Sequence, residues 1–172
     1  SADDAPGGMF RRFPIFERLI SWTKPDAPCE RETREYECYD NNSLVADEPE
    51  ARGLIARFMD RSFDVPARGE MEAALADFAE RAGIQARYGC RWTGTRQEEG
   101  GFVLETTDGE YRCPIIVFAI GMTEAWSPPL EGAEHATHYV ETGSAESYRG
   151  KRVVIIGKRN SGFELASGLL PW

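Results

Sequence analysis

The sequence predicts an α/β fold, and three stretches predict it. Arg152-Val153-Val154-Ile155-Ile156 is a β-branched run that ends at Gly157, and a helical pattern begins five residues later. Residues 70–83 space their apolar side chains with a helical period, and residues 84–113 alternate short β-rich runs with turn signals. A buried strand, a glycine turn and a helix in succession open a dinucleotide-binding unit, in which the helix N-terminus faces a pyrophosphate. Fifteen residues follow Gly157, too few to complete such a unit, so the sequence reads as a central piece of a larger enzyme.

The elements follow in order. Residues 1–50 mix aromatic, charged and turn residues without a sustained period. Phe10, Phe13, Ile15, Phe16, Leu19, Ile20 and Trp22 supply apolar surface, read as core or interface, and a short helix is expected after Pro14. Lys24 to Asn42 reads as a polar ordered loop that ends in the turn cluster Asp40-Asn41-Asn42-Ser43. In residues 70–83, Met71, Ala74, Leu75, Phe78 and Ala82 fall on one helical face, and Gly83 is the expected stop. Pro66 marks the turn into that helix.

A three-stranded antiparallel meander is expected next. Its strands are Arg87–Thr93, Phe102–Thr107 and Glu110–Cys113, with turns at Glu98-Glu99-Gly100-Gly101 and at Asp108-Gly109. Ile115 to Ile120 is a continuous apolar run, expected as a strand buried on both faces of a parallel sheet. Pro128-Pro129 breaks the chain, and the polar connector Glu131–Arg149 leads to the final strand at 152–156.

Composition bounds the function. The 172 residues carry 20 Lys and Arg against 29 Asp and Glu, a formal charge of −9. Nucleic acid and anionic membranes both select basic surfaces, so neither is an expected partner. The longest apolar run is far too short to span a bilayer, and Ser1-Ala2-Asp3-Asp4 has no leader pattern, so a cytoplasmic location is expected. Cys29, Cys38, Cys90 and Cys113 form no C-x-x-C pair, which leaves a disulfide-exchange reading without support, and they read as reduced packing residues. His135 and His138 have no helical frame to converge with Glu134 and Glu141, so no metal site is expected. No hydrolase motif is present.

Five local patterns, in this order, resemble one family. They are Gly7-Gly8-Met9-Phe10; Pro66-Ala67-Arg68-Gly69-Glu70 running into Leu75 and Phe78-Ala79; and Val117-Phe118-Ala119-Ile120-Gly121 with Pro128-Pro129 and Gly132. The last two are His138 with Tyr148-Arg149-Gly150-Lys151-Arg152, and Gly157 to Gly162 with Glu164. The arrangement resembles the two-dinucleotide-domain flavoproteins, and within them the flavin-containing monooxygenase-like FAD/NAD(P)H oxidoreductases.

The resemblance implies a partial FAD-binding Rossmann-type domain over 1–150, with the meander at about 84–113 and a returning strand at 115–121. The first strand-turn-helix of an NAD(P)-binding domain would occupy 151–172. It implies FAD and NAD(P)H as cofactors, with hydride passing from nicotinamide to flavin and then to dioxygen or another acceptor. Gly7, Gly8 and Gly121 are then the flavin-side residues, and Gly157, Arg159, Asn160, Ser161 and Gly162 hold the NAD(P)H pyrophosphate. No catalytic side chain is named, because the flavin carries the electron chemistry.

Departures from the pattern matter too. The family's first FAD loop would precede Ser1, and the closing parts would follow Trp172. Ile120 replaces a usual threonine. Arg159 stands where a second glycine lets backbone approach pyrophosphate. Either its guanidinium contacts phosphate instead, or the site is degraded. An alternative of another class is a non-catalytic fragment, without cofactor, that self-associates or complements another chain through unpaired strands around Ile116 and Ile155. Otherwise a small-molecule substrate is the expected partner.

Overall fold

The chain runs through α1 (Arg34–Tyr39), α2 (Arg68–Arg81), β1 (Trp92–Glu98), β2 (Gly101–Thr106), β3 (Gly109–Cys113) and α3 (Asn160–Leu169), joined by short 3-10 turns. In the computed structural model the described residues are 1–24, 27–30, 33–121 and 125–172. Parts of the expected loop 24–42 and of the link after Gly121 lie outside them.

The helix α2 is where periodicity and packing agree. Met71 and Ala74 are buried with Ile55, and Phe10, Leu19, Phe58 and Met59 pack against them. At the N-terminus the Glu70 carboxylate accepts from the Ala67 N–H (2.7 Å), satisfying an amide the helix leaves open. At the other end Gly83 takes φ +61° and donates to Glu80 O (3.1 Å), while the Ile84 N–H donates to Ala79 O (2.9 Å). That pair of bonds is the Schellman closure, and it places the stop at the predicted glycine. The Arg81 guanidinium ties this end to the carbonyls of Glu50 (2.9 Å) and Arg52 (2.7 Å).

The meander forms as an antiparallel sheet ordered β1-β2-β3. Val103 is its buried centre, and Arg96 bonds Glu98 (3.1 Å), Glu105 (2.6 Å) and Glu110 (3.0 Å). The first strand lies later than expected. Residues 89–90 pair with the chain's opening residues instead, Gly89 N–H to Asp3 O (2.9 Å) and Cys90 N–H to Ser1 O (2.8 Å), and the ladder starts at Trp92. A Cβ at Gly101 would stand 2.4 Å from Cys113 O, so only glycine fits there.

Two further expectations about residues 1–50 are corrected. The short helical piece near Pro14 lies before it, as a 3-10 turn over Gly8–Arg11. Inside the expected polar loop stands α1, capped by Thr33 Oγ1, which accepts from the Tyr36 N–H (3.3 Å). The buried Tyr36 hydroxyl donates to Lys24 O (2.6 Å), tying α1 to the first residue of that loop.

The largest correction concerns 115–120 and 152–156. Neither segment belongs to a strand, and Val117 is 83% and Val154 87% exposed. Apolar β-branched composition selects an extended strand, but a strand also needs a neighbour on its hydrogen-bonding edge. The only sheet among the described residues is the antiparallel meander, and it offers neither segment a parallel partner. Phe118 instead rests against Trp92 (ring centroids 5.5 Å). The accessible surface is 12377 Å², to which these uncovered runs contribute. A folded monomer of 19.3 kDa exposes about 8,500 Å².

Candidate nucleotide-binding turn

The turn before α3 brings together five of the eight predicted site residues. Gly157 takes φ +127°, a conformation that side chains other than glycine's rarely adopt. Arg159 is the N-cap residue of α3, in an extended conformation (φ −98°, ψ −174°) that any residue tolerates. Asn160, Ser161 and Gly162 make the first turn. A Cβ on Gly162 would stand 2.7 Å from Gly157 O, so this glycine lets the helix start close against the turn.

The electrostatics of this helix end favour an anion. The first amides of any helix lack intrahelical acceptors and carry partial positive charge. Such an end is most often capped by a Ser, Thr, Asp or Asn oxygen. Here Arg159 supplies no side-chain cap, the first turn holds no acidic residue, and Lys158 and Arg159 are exposed beside it. The first amides of α3 and the exposed Arg159 guanidinium are therefore hydrogen-bond donors of the kind an anion takes.

One turn into α3, Glu164 is buried and fully bonded. Its carboxylate accepts from the Phe16 N–H (2.8 Å) and from the Tyr139 hydroxyl. The same hydroxyl accepts from the Ile15 N–H (3.0 Å), and the Tyr139 ring stacks on Phe13 (5.8 Å). Burial, then the bond to Glu164, pushes the Tyr139 hydroxyl above its usual range, so it stays a donor. Glu164 was legible in the motif, but no spacing in the sequence announces Tyr139 as its partner.

The remaining predicted residues lie elsewhere. Gly7 (φ +76°) packs on α2, where its Cβ would meet Glu72 Cα and Leu75 Cδ1 at 3.3 Å. A Cβ on the buried Gly8 would fall 2.4 Å from the Asp3 carboxylate. Both glycines are closely packed within the chain. Gly121 takes φ +65°, and among the described residues nothing lies within 4 Å of its Cβ position. The Arg68 guanidinium is spent on the carbonyls of Arg12 (3.1 Å) and Pro14 (3.5 Å) rather than left open to a phosphate.

The other groups offer no competing centre. His138 accepts from the Val140 N–H at Nδ1 (3.3 Å), which assigns its proton to Nε2, facing Trp126 O (3.2 Å). Among the described residues no group of three His, Cys, Asp or Glu side chains could hold a metal ion. The four cysteines are free thiols. No helix among the described residues is long and apolar enough to cross a membrane.

A family profile described as pyridine nucleotide-disulphide oxidoreductase matches residues 7–171. The FAD-dependent oxidoreductase domain-containing protein 2 of Mus musculus is 29% identical over 180 residues, covering 98% of this chain and 26% of that protein. Its Danio rerio counterpart is 26% identical over 172 residues, covering 96% of this chain and 24% of that protein. The chain thus spans about a quarter of the length of these relatives. No solved structure matches it. With the profile running through the meander and on past the glycine turn, the chain belongs to the pyridine nucleotide-disulphide oxidoreductase family, within the FAD-dependent oxidoreductase superfamily.

Proposed function

We propose that this chain is the junction of a flavoprotein oxidoreductase, where the FAD-binding part (1–150) meets the start of the NAD(P)H-binding part (151–172). The observation that carries the reading is the α3 N-terminus: an uncapped helix end, a Gly157 turn closed against Gly162, and an exposed Arg159. In this reading the first amides of α3 and Arg159 hold the NAD(P)H pyrophosphate, with Asn160 and Ser161 lining the turn. The open backbone at Gly121 lets FAD approach. FAD, when bound, supplies the two-electron acceptor, so no side chain of this chain need act as acid or nucleophile. The onward acceptor is dioxygen or another small molecule. The family's name includes disulfide chemistry, which the four free thiols, without a C-x-x-C pair, disfavour for this segment.

The test is an FAD titration of the purified chain by absorbance and flavin fluorescence, followed by NADPH and NADH titrations of wild type and Arg159→Ala. Saturable nucleotide binding that weakens roughly tenfold in the variant, as expected for a lost charge-assisted hydrogen bond, supports the turn. Equal affinity in both proteins removes Arg159 from the site. No nucleotide binding at all refutes the reading for this chain.

A second reading rests on the uncovered runs 115–120 and 152–156. Ile115, Val117, Val154 and Ile156 are each at least 75% exposed, in a chain that exposes about 3,900 Å² more than expected for its size. In that reading the chain is a non-catalytic fragment that self-associates or complements another polypeptide by strand pairing. Sedimentation over a concentration series decides it: a monomer at all concentrations rules out self-association.

A further inference from the structure

We propose that Tyr139 and Glu164 form a latch that fixes α3, and with it the Gly157 turn, onto the segment Phe13–Glu17. As positioning residues for a nucleotide they rest on the reading of the turn given above.

The way α3 is docked carries the inference. A surface helix ordinarily buries an apolar stripe. In α3 the only buried residue is Glu164, while Phe163 is 66% exposed. The carboxylate is held by the Phe16 amide and the Tyr139 hydroxyl, and the hydroxyl in turn satisfies the Ile15 amide. Four residues on, the same helix face presents Gly168, and a Cβ there would stand 2.1 Å from Phe16 Cδ2. Segment 13–17 therefore lies against α3 at both positions.

The other side of that segment is fastened to α2. The Arg68 guanidinium donates to Arg12 O (3.1 Å) and Pro14 O (3.5 Å) and pairs with Glu17 (3.3 Å), while the Arg68 N–H donates to Glu17 O (2.8 Å). A continuous line of polar contacts thus runs from the start of α2, through Phe13–Glu17, to the helix that carries the turn. The placement of the turn depends on a buried carboxylate and one phenol together with the Phe16 ring against Gly168. Buried polar contacts of this kind fix one geometry, because any other leaves a polar group unpaired.

Hydrogen exchange of the full chain tests the latch with Tyr139→Phe, which keeps the ring stacked on Phe13 and removes only the hydroxyl. Peptides covering 13–17 and 160–169 are expected to exchange together, roughly tenfold faster or more, as for loss of a hydrogen bond to a charged group. Peptides 68–81 and 92–113 are expected to stay at wild-type rates. Glu164→Ala should have the larger effect. Glu164→Gln, which retains an acceptor for Phe16 and a partner for Tyr139, should regain most of the protection. Unchanged exchange at 160–169 in Tyr139→Phe overturns the latch, as does equal loosening of all four regions. NADPH titration of the same proteins separates the two ideas. If wild type does not bind, the nucleotide reading fails and exchange alone judges the latch. If it binds, Tyr139→Phe should bind more weakly.

Discussion

The same substitution at two helical glycines should act in opposite directions. Gly69 lies in the first turn of α2 with nothing within 4 Å of its Cβ position, whereas at Gly168 in α3 a Cβ would stand 2.1 Å from Phe16 Cδ2 and 2.7 Å from its Cγ. Replacing glycine by alanine inside a helix gains up to about 1 kcal/mol of propensity. At Gly69 that gain is unopposed, so Gly69→Ala should stabilise by up to that amount. At Gly168 the ring must retreat by more than an ångström to reach ordinary carbon contact at about 3.5–4.0 Å. The Phe16 backbone is pinned by its bond to Glu164 (2.8 Å), so the ring cannot simply carry its segment away. Overpacking of this kind costs about 1–3 kcal/mol, which outweighs the propensity gain over most of its range. Urea unfolding followed by far-UV circular dichroism measures both variants against wild type. The midpoint should rise for Gly69→Ala and fall for Gly168→Ala at similar slope. A Gly168→Ala midpoint at or above wild type would show that Phe16 does not lie against α3, and would refute the docking on which the latch depends.

Three further outcomes are expected. Glu37 is buried with Arg52 at 3.5 Å, and burial raises its carboxyl above the ordinary value of 4.5 despite that cation. The folded state then binds the proton more tightly than the unfolded state. Its stability contribution is full below pH 4.5 and is lost as pH rises through the folded value. Stability measured from pH 4 to 7 should therefore fall less steeply in Glu37→Gln than in wild type, and equal slopes would contradict the buried placement. Gly162→Ala adds a Cβ 2.7 Å from Gly157 O, so it should disturb the turn and weaken NADPH binding more than it changes thermal stability, checked by titration and melting. Val117→Lys with Val154→Lys places charge on the most exposed large apolar residue of each run and should lower self-association in sedimentation, since edge lysines oppose strand pairing.

Local rules made several elements legible. The face containing Met71 and Ala74, the Gly83 stop and the Asp108-Gly109 hairpin each depend on residues within a few positions of one another, and each formed where the sequence put it. The start of α3 after Gly157 followed from the same local logic. The helix α1 was missed because its evidence is a single cap, Thr33, and a tyrosine whose burial depends on Lys24. The packing of Gly7 and Gly8 was also hidden, since their close neighbours are Glu72, Leu75 and Asp3 rather than adjacent residues.

The sequence by itself determined the periodic helix, the meander, the glycine turn before α3 and the kinship of the chain, because these rest on backbone preference and on short-range pattern. Tertiary structure decided whether an apolar run becomes a strand, which phenol meets the Glu164 carboxylate, and which ring fills the space beside Gly168. A strand exists only with a partner at its edge, and a buried carboxylate only with donors around it. For 115–120 and 152–156 no such partner stands among the described residues. For Glu164 the donors come from Phe16 and Tyr139, 148 and 25 positions away, a pairing that only the folded chain creates.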